Sequence, residues 1–193
     1  MIFSAKQKEY IREAKSVWNF KIGSVRSGKT YLDTNYVIPA NIRERAKKGG
    51  GVFILGVTES TIERNVLMPM RAIYGDKLVG YIKQHNEVEL FGETCYAFGM
   101  EKETQLSKLQ GASAKYVYRD EVAKWHQEAF LVLVSRLDKP YSRFDGSLNP
   151  ESPYHYLKEF IDKDASIYRQ HYRIEDNPFL DIEVKERIKR QYS

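Results

Sequence analysis

The sequence feature that most constrains the fold lies at residues 23–30, which read GSVRSGKT. This is a complete G-x-x-x-x-G-K-[ST] pattern, a phosphate-binding loop that joins a strand to a helix. The glycines let backbone N–H groups turn inward around a phosphate, while the lysine adds a positive charge and the threonine a hydroxyl for Mg2+. We therefore expect eight residues to surround the phosphates of a nucleotide: Gly23, Ser24, Val25, Arg26, Ser27, Gly28, Lys29 and Thr30.

The segments that flank the loop supply the strand and the helix that such a motif requires. Residues 17–22 (VWNFKI) form a short, mainly apolar run typical of a strand. Residues 29–47 lack glycine and contain one proline, Pro39, which favours a helix whose N-terminal dipole attracts anions. A helix at 5–16, with Ser4 as its candidate N-cap, precedes the strand. The pattern indicates an α/β domain that binds a nucleotide.

Residues 52–57 (VFILGV) form a continuous apolar run, typical of a strand covered on both faces, and this favours a parallel sheet. A helix is expected at 60–74, capped by Thr58 or Ser60 and bent or split by Pro69. Residues 81–83, 87–91 and 94–98 predict a β-hairpin with a flanking strand. Further strands are expected at 113–119, 143–146 and 166–173, and further helices at 128–137, 154–162 and 181–191. The fold class is therefore a P-loop NTPase, with a mainly parallel central sheet flanked by helices and an antiparallel β-hairpin insertion.

Length and composition fit one compact domain over residues 1–193, since 42% hydrophobic residues suffice for a core. The net charge of +5 permits a polyanionic partner. No apolar run approaches the roughly 20 residues of a membrane span, and no signal-peptide core is present, so we expect no membrane partner. The lone cysteine, Cys95, excludes an internal disulfide and fits a buried strand.

A second motif lies at residues 116–121 (YVYRDE), where a mainly apolar run ends in two adjacent acids. Hydrolysis needs a carboxylate beside the metal and a second group that polarises water. Asp120 is expected to hold Mg2+ and Glu121 to polarise the attacking water. Residues 146–150 (GSLNP) end a later strand, where Ser147 or Asn149 could sense the γ-phosphate through hydrogen bonds.

Together these residues resemble one family, the ATPase domain of the large terminase subunit of tailed bacteriophages, in its prophage type. The resemblance uses the arginine-bearing loop at 23–30, the strand ending in Asp120 and Glu121, the segment at 147–150, and residues 175–180 (EDNPFL). It extends over the whole chain. It implies a motor that hydrolyses ATP with Mg2+ and packages double-stranded DNA into a procapsid.

The resemblance also implies roles for individual residues. Lys29 would bind the β- and γ-phosphates, Thr30 and Asp120 would hold Mg2+, and Glu121 would be the catalytic carboxylate. Arg26 would sense or stabilise the γ-phosphate. The remaining implied roles are coupling of hydrolysis to movement, by Ser147 and Asn149, and recognition of adenine, by Gln7. The implied partners are DNA, a ring of identical subunits on the portal and the small terminase subunit, in the cytoplasm of an infected bacterium and not in the mature virion.

The chain departs from the family pattern in two places. Gln110 stands where many terminases carry an arginine finger that acts across the subunit interface. Lys108, Arg136 or Arg143 would then have to supply that charge. The sequence also ends at Ser193, before the nuclease domain that normally follows, so we expect no nuclease activity from this chain.

Other functional classes share parts of this pattern. A nucleotide or small-molecule kinase has the same loop, but it needs an acceptor pocket and usually an arginine-rich lid. A helicase or a recombination ATPase is another DNA motor, usually with further arginine-bearing motifs or a second motor domain. A nucleotide-dependent assembly module would bind without hydrolysis, which Glu121 argues against.

Overall fold

The structure is a computed structural model that describes residues 2–100, 109, 111–149, 156–164 and 166–192. Within these ranges, the strands of one sheet are β1 (Trp18–Gly23), β2 (Gly51–Gly56), β3 (Glu87–Leu90), β4 (Glu93–Gly99), β5 (Ala114–Arg119), β6 (Arg143–Leu148) and β7 (Tyr168–Tyr172). The α-helices are α1 (Ala5–Glu13), α2 (Lys29–Leu32), α3 (Ile38–Glu44), α4 (Glu59–Ile62), α5 (Met68–Tyr74), α6 (Gln127–Val134), α7 (Tyr156–Lys163) and α8 (Ile182–Tyr192).

The strand order places the predicted site residues at one edge of the sheet. The order is β3-β4-β2-β5-β6-β1-β7, and every neighbouring pair except β3 and β4 is parallel. Strand β6 therefore lies between the strand that precedes the phosphate loop and the strand that ends before the paired acids. Because parallel strands end at the same edge, the loop, the acids and the end of β6 meet there. The predicted P-loop α/β fold is confirmed.

Helices cover both faces of the sheet, which explains why the central strands are apolar without alternation. On β2, Val52 and Ile54 pack with α3, α4 and α5, whereas Phe53 and Leu55 pack with the core beneath α6 and α7. A smaller cluster joins α1 and α2 to β7. None of the described helices combines the length and apolar composition that a membrane span requires.

Both proline-containing helices pass through a π-helical turn just before the proline. Residues Asp33–Val37 precede Pro39, and residues Glu63–Leu67 precede Pro69. Proline lacks an N–H and its ring crowds the carbonyl four residues earlier, so a wider turn relieves the clash. The carbonyl of Asn35, which Pro39 cannot pair, instead accepts a hydrogen bond from the Tyr74 hydroxyl at 2.6 Å. The expected break at Pro69 thus takes the form of a π turn, and Thr58 is the N-cap of α4.

The predicted β-hairpin is confirmed, and it belongs to the main sheet. Its turn residues Phe91 and Gly92 both have positive φ, as two-residue hairpin turns require. Strand β4 pairs antiparallel with β3 and parallel with β2, so only β3 runs against the sheet. Cys95 is buried in β4, as expected.

The expected strand at 81–83 is wrong. Only Val79 forms an isolated bridge with β3, and residues 81–83 have no strand assignment. The reason is Arg71, whose guanidinium donates to the carbonyls of Val79 and Gly80 at 3.2 and 2.8 Å. In the register of the Val79–Leu90 bridge, the Gly80 carbonyl is the next acceptor that faces β3, and Arg71 occupies it.

Candidate nucleotide site

The loop between β1 and α2 has a backbone that only glycine permits at its two ends. A Cβ on Gly23 would lie 1.8 Å from the carbonyl oxygen of Tyr172, and φ at this position is +147°. Gly28 precedes α2 with φ of +90°. The first helical hydrogen bond runs from the Leu32 N–H to the Gly28 carbonyl. The N–H groups before Leu32 in the first turn have no partner within the helix and are available to an anion.

Lys29 has its ammonium folded back over the loop. The Nζ atom donates to the carbonyls of Gly23 and Ser24 at 2.7 Å each, and to Asn149 Oδ1 at 3.2 Å. Among the described residues it forms no ion pair with a carboxylate. Burial lowers the pKa of Lys29 to about 8. The site therefore holds a nearly buried cation whose present partners are neutral oxygens, which a phosphate can replace.

The two acids after β5 differ in their environment. Asp120 is fixed, because its N–H donates to the Leu55 carbonyl and its Oδ1 accepts from the Ser147 hydroxyl at 2.8 Å. Glu121 has a left-handed backbone, with φ of 54° and ψ of 56°, and its half-exposed carboxylate lies 3.1 Å from Lys124. That conformation costs a non-glycine residue about 1–2 kcal/mol, and such strain is concentrated at functional sites.

A cavity of about 230 Å3 brings most of the predicted residues together. The predicted residues that line it are Val25, Arg26, Gly28, Lys29, Thr30, Asp120, Glu121, Ser147 and Asn149. Gly23, Ser24 and Ser27 complete the loop behind it, where the Ser27 hydroxyl donates to the Ser24 carbonyl. Of the three other lining residues, Leu148 lies within the predicted segment at 147–150, whereas Tyr31 and Asn65 were not predicted. Tyr31 directly follows the motif, and this position was a usable signal, but nothing in the sequence links Asn65 to the loop.

Arg26 lies at the tip of the loop in a left-handed conformation with φ of 57°. Its exposed side chain lines the cavity, and its carbonyl accepts a hydrogen bond from Asn177 Nδ2 at 2.9 Å. Asp176, the preceding residue, forms an ion pair with Lys6 at 2.9 Å. The segment after β7 is thus attached both to the loop and to α1.

Gln7 contacts the loop at Gly28, where the Asn177 side chain also lies close to the backbone. Only 3% of this residue is exposed. Its Oε1 accepts from the Ser4 N–H at 2.8 Å, which completes a capping box at the start of α1, and its Nε2 donates to the Gly28 carbonyl at 3.0 Å. In this arrangement Gln7 supports the loop, and its assignment to adenine stays a prediction.

Beneath the loop lies a second set of charges, which we call the buried ion network: Tyr10, Lys21, Asp33, Tyr118, Arg143 and Asp145. Lys21 pairs with Asp33 at 2.9 Å, and both side chains are fully buried. Tyr10 accepts from Lys21 and donates to Asp145, and Tyr118 donates to Asp33. Burial would raise the pKa of Asp145, but the charge and hydrogen bonds of Arg143 outweigh it and hold the pKa below its usual value.

The oxygen donors at the cavity fit a magnesium–nucleotide complex. Among the described residues, no group of three or more His, Cys, Asp or Glu side chains is placed to enclose a metal. Mg2+ usually takes one or two protein oxygens and completes its shell with phosphate and water. The Thr30 hydroxyl and the Asp120 carboxylate, which both line the cavity, would supply such a pair.

Comparison with protein families connects this geometry to one of them. Residues 22–193 match the family described as terminase large subunit, T4likevirus-type, N-terminal. The chain belongs to this family. Comparison with curated proteins found no match.

Solved terminase structures have the same fold. The large terminase of a thermophilic bacteriophage is 26% identical to this chain with a TM-score of 0.80, and the match covers 100% of this chain and 51% of that one. The complex of that terminase with ADP is 27% identical, with a TM-score of 0.78 and coverages of 99% and 50%. The large terminase of bacteriophage HK97 shares the fold at 14% identity, with a TM-score of 0.73 and coverages of 100% and 47%. This chain thus spans about half the length of these large terminases.

The candidates for a terminase arginine finger are narrowed by the structure. The prediction of Arg143 as a finger candidate is wrong, because this residue is buried. Its guanidinium donates twice to Asp145, at 2.7 and 2.9 Å, and once to the Ala14 carbonyl. Arg136 is half-buried near the start of β5, at the opposite edge of the sheet from the loop, and stays a prediction. Lys108 and Gln110 lie outside the described residues.

Proposed function

We propose that this chain is the ATP-hydrolysing domain of a phage DNA-packaging motor, whose cycle drives double-stranded DNA into a procapsid. The observation that carries the proposal is the cavity that Lys29, Thr30, Asp120 and Glu121 line together, at the edge where three parallel strands end. Solved structures of the thermophilic phage's large terminase in complex with ADP and with ATP-gamma-S support a nucleotide as the ligand.

Phosphate binding follows from the state of Lys29. Its ammonium now contacts loop carbonyls and Asn149, which are weaker partners than a phosphate. When the β- and γ-phosphates enter, Lys29 turns toward them, and the N–H groups at the start of α2 donate to the same oxygens. Arg26 adds a second charge at the γ-phosphate end of the loop.

Mg2+, when bound, neutralises part of the charge on the phosphate oxygens. The Thr30 hydroxyl and the Asp120 carboxylate would hold it. Because Ser147 donates to Asp120 Oδ1, one carboxylate oxygen is fixed and the other is directed by that contact.

Glu121 polarises the attacking water. The water oxygen attacks the γ-phosphorus and the bond from this phosphorus to the β–γ bridging oxygen breaks, which releases ADP and phosphate. Glu121 accepts the proton of the water. Its ion pair with Lys124 is half-exposed and worth only a few tenths of a kcal/mol, about 0.3–0.5 for such a spacing, so the carboxylate can leave it.

Coupling is proposed for Ser147 and Asn149 because each contacts one catalytic group. Ser147 is bonded to Asp120, and Asn149 is bonded to Lys29. Binding and release of the γ-phosphate move Lys29, so they change the environment of Asn149 and, through β6, of the sheet. Strand β6 is buried along its whole length, and close-packed interiors transmit such a shift.

The wider assembly belongs to the same proposal. We assign residues 1–193 to one ATPase domain that acts in a ring on the portal, with the small terminase subunit and DNA as partners, in the cytoplasm of the infected bacterium. The expected absence of nuclease activity and the adenine contact of Gln7 stay predictions.

The test is steady-state phosphate release with ATP and Mg2+, with and without linear double-stranded DNA. Lys29→Ala should abolish turnover by loss of binding, whereas Glu121→Gln should abolish turnover and retain ATP binding. Unchanged turnover in Glu121→Gln would show that another group is the base. Transfer of phosphate to a small molecule would identify a kinase, strand separation without packaging a helicase, and tight binding without turnover an assembly module.

A further inference from the structure

Exposed aromatic rings continue from the cavity across the surface of the domain. Tyr31 and Phe179 have ring centroids 6.0 Å apart with planes inclined by 40°, and Phe3 packs edge-on against Tyr31 at 6.1 Å. Tyr31 is 40% exposed and Phe179 53%. Aromatic side chains usually bury their faces, so neighbouring exposed rings mark a binding surface. We call Tyr31 and Phe179 the aromatic ledge.

Tyr31 belongs to both the cavity and the ledge. It is the third residue of α2, so its N–H lies in the first turn with the groups that face a phosphate. Its side chain lines the cavity on one side and contacts Phe179 on the other. A ligand whose phosphates lie on Lys29 therefore extends toward this ring.

Phe179 is held beside the loop by one side chain. Asn177 donates through Nδ2 to the Arg26 carbonyl at 2.9 Å and accepts through Oδ1 from the Phe179 N–H at 3.1 Å. The loop tip and the ledge are thus connected through a single amide.

We propose that the aromatic ledge is the nucleobase subsite, where the base of the bound nucleotide stacks on Tyr31 and Phe179. This inference rests on the proposed function and assigns the base to two residues that were not predicted as site residues. It also gives Gln7 a different part, since both ends of its amide are already bonded within the protein. Stacking on π-faces is tolerant of base identity, so ATP and GTP should bind within about threefold of each other.

The first experiment compares Tyr31→Ala with Tyr36→Ala. Tyr36 is a matched control, because it is also 40% exposed and contacts Phe3 at 6.1 Å but does not line the cavity. Dissociation constants are measured by calorimetry for ATP and for tripolyphosphate, which has the phosphates without the base. Tyr31→Ala should weaken ATP by about 5- to 100-fold and leave tripolyphosphate unchanged. Phe179→Ala should act in the same direction, and Tyr36→Ala should change neither ligand.

Gln7→Met separates the two assignments of the base. If Gln7 only supports the loop, this variant weakens ATP, GTP and tripolyphosphate by the same factor. A selective loss of ATP over GTP in Gln7→Met, or an equal loss of ATP and tripolyphosphate in Tyr31→Ala, would overturn the ledge. If Lys29→Ala abolishes ATP binding while Tyr31→Ala has no effect, the subsite is wrong and the proposed ATPase stands.

Discussion

The buried ion network and the nucleotide cavity are both built around a lysine, and the two lysines have opposite partners. Lys21 is fully buried and compensated, with Asp33 at 2.9 Å and Tyr10 at 3.0 Å. Lys29 is nearly as buried, at 8% exposure, yet its partners are carbonyl, hydroxyl and amide oxygens. Within nine residues of the chain, Lys21 carries a charge that is paired inside the protein, and Lys29 carries a charge that can bind an anion.

This difference shows how the fold distinguishes support from function. A compensated buried pair is strongly destabilised when one partner is removed, because the other charge is left alone. A cation without a charged partner in the protein can instead form a strong interaction with an anionic ligand when that ligand binds. Substitutions at the two lysines should therefore affect different measurements.

The largest effect is expected for Lys29→Met on turnover. Loss of the charge that faces the phosphates should lower the rate of phosphate release by about 10³-fold, the upper range for one electrostatic contact at a reacting group. The free energy of unfolding in urea should change by no more than about 1 kcal/mol, since no charged partner is abandoned. Strong destabilisation of Lys29→Met would contradict the view that Lys29 serves binding and Lys21 serves stability.

The converse is expected for Lys21→Met, which should destabilise the fold by about 3–5 kcal/mol because Asp33 remains buried without its partner. Urea denaturation followed by circular dichroism measures this. The control is the double variant Lys21→Met with Asp33→Leu, which removes both charges and should recover most of the stability. Equal free energies of unfolding for Lys21→Met and Lys29→Met would show that the two lysines do not differ in their contribution to stability.

A smaller effect is expected for Ser147→Ala, which removes the hydrogen bond to Asp120. The Mg2+ concentration for half-maximal turnover should rise about tenfold, within the usual range for a group that orients a metal ligand. Asn149→Ala is the control, since it contacts Lys29 and not Asp120. If Ser147→Ala and Asn149→Ala raise this Mg2+ concentration equally, the effect does not depend on the hydrogen bond between Ser147 and Asp120.

The smallest effect is the pH dependence of ATP binding. The pKa of Lys29 is lowered to about 8 in the free protein, and a bound phosphate favours the ammonium, so binding takes up a proton above pH 8. The dissociation constant of ATP should be flat below about pH 7 and rise by up to about tenfold per pH unit above 8. Calorimetry in buffers of different ionisation enthalpy detects the proton, and a dissociation constant that stays unchanged between pH 7 and pH 9 would contradict the prediction.

The features that could be predicted from the sequence are those formed by residues close together in the chain. The phosphate loop, the acids after β5 and the apolar strands follow from short motifs whose residues are neighbours in the chain. The end of β6 was also located, because parallel strands bring their ends to one edge. Thr58 as the N-cap of α4 was likewise predictable from the local sequence.

Other features depended on distant contacts. Arg143 was a candidate for the finger charge, but the register of β6 turns it inward toward Asp145, two residues away on the same face. The strand at 81–83 does not form because Arg71 bonds the Gly80 carbonyl, a contact that no local pattern reveals. Asn65 reaches the cavity only through the packing of the π turn at Glu63–Leu67.

The phosphate loop is anchored by both ends of the chain, through Gln7 to the Gly28 carbonyl and Asn177 to the Arg26 carbonyl. This arrangement has a consequence for biosynthesis. During translation, the loop and its glycines leave the ribosome long before Asn177 does, so the nascent chain lacks one anchor until almost the whole domain has been made. A nascent chain therefore completes the second anchor of the loop only after the segment that follows β7 has been synthesised.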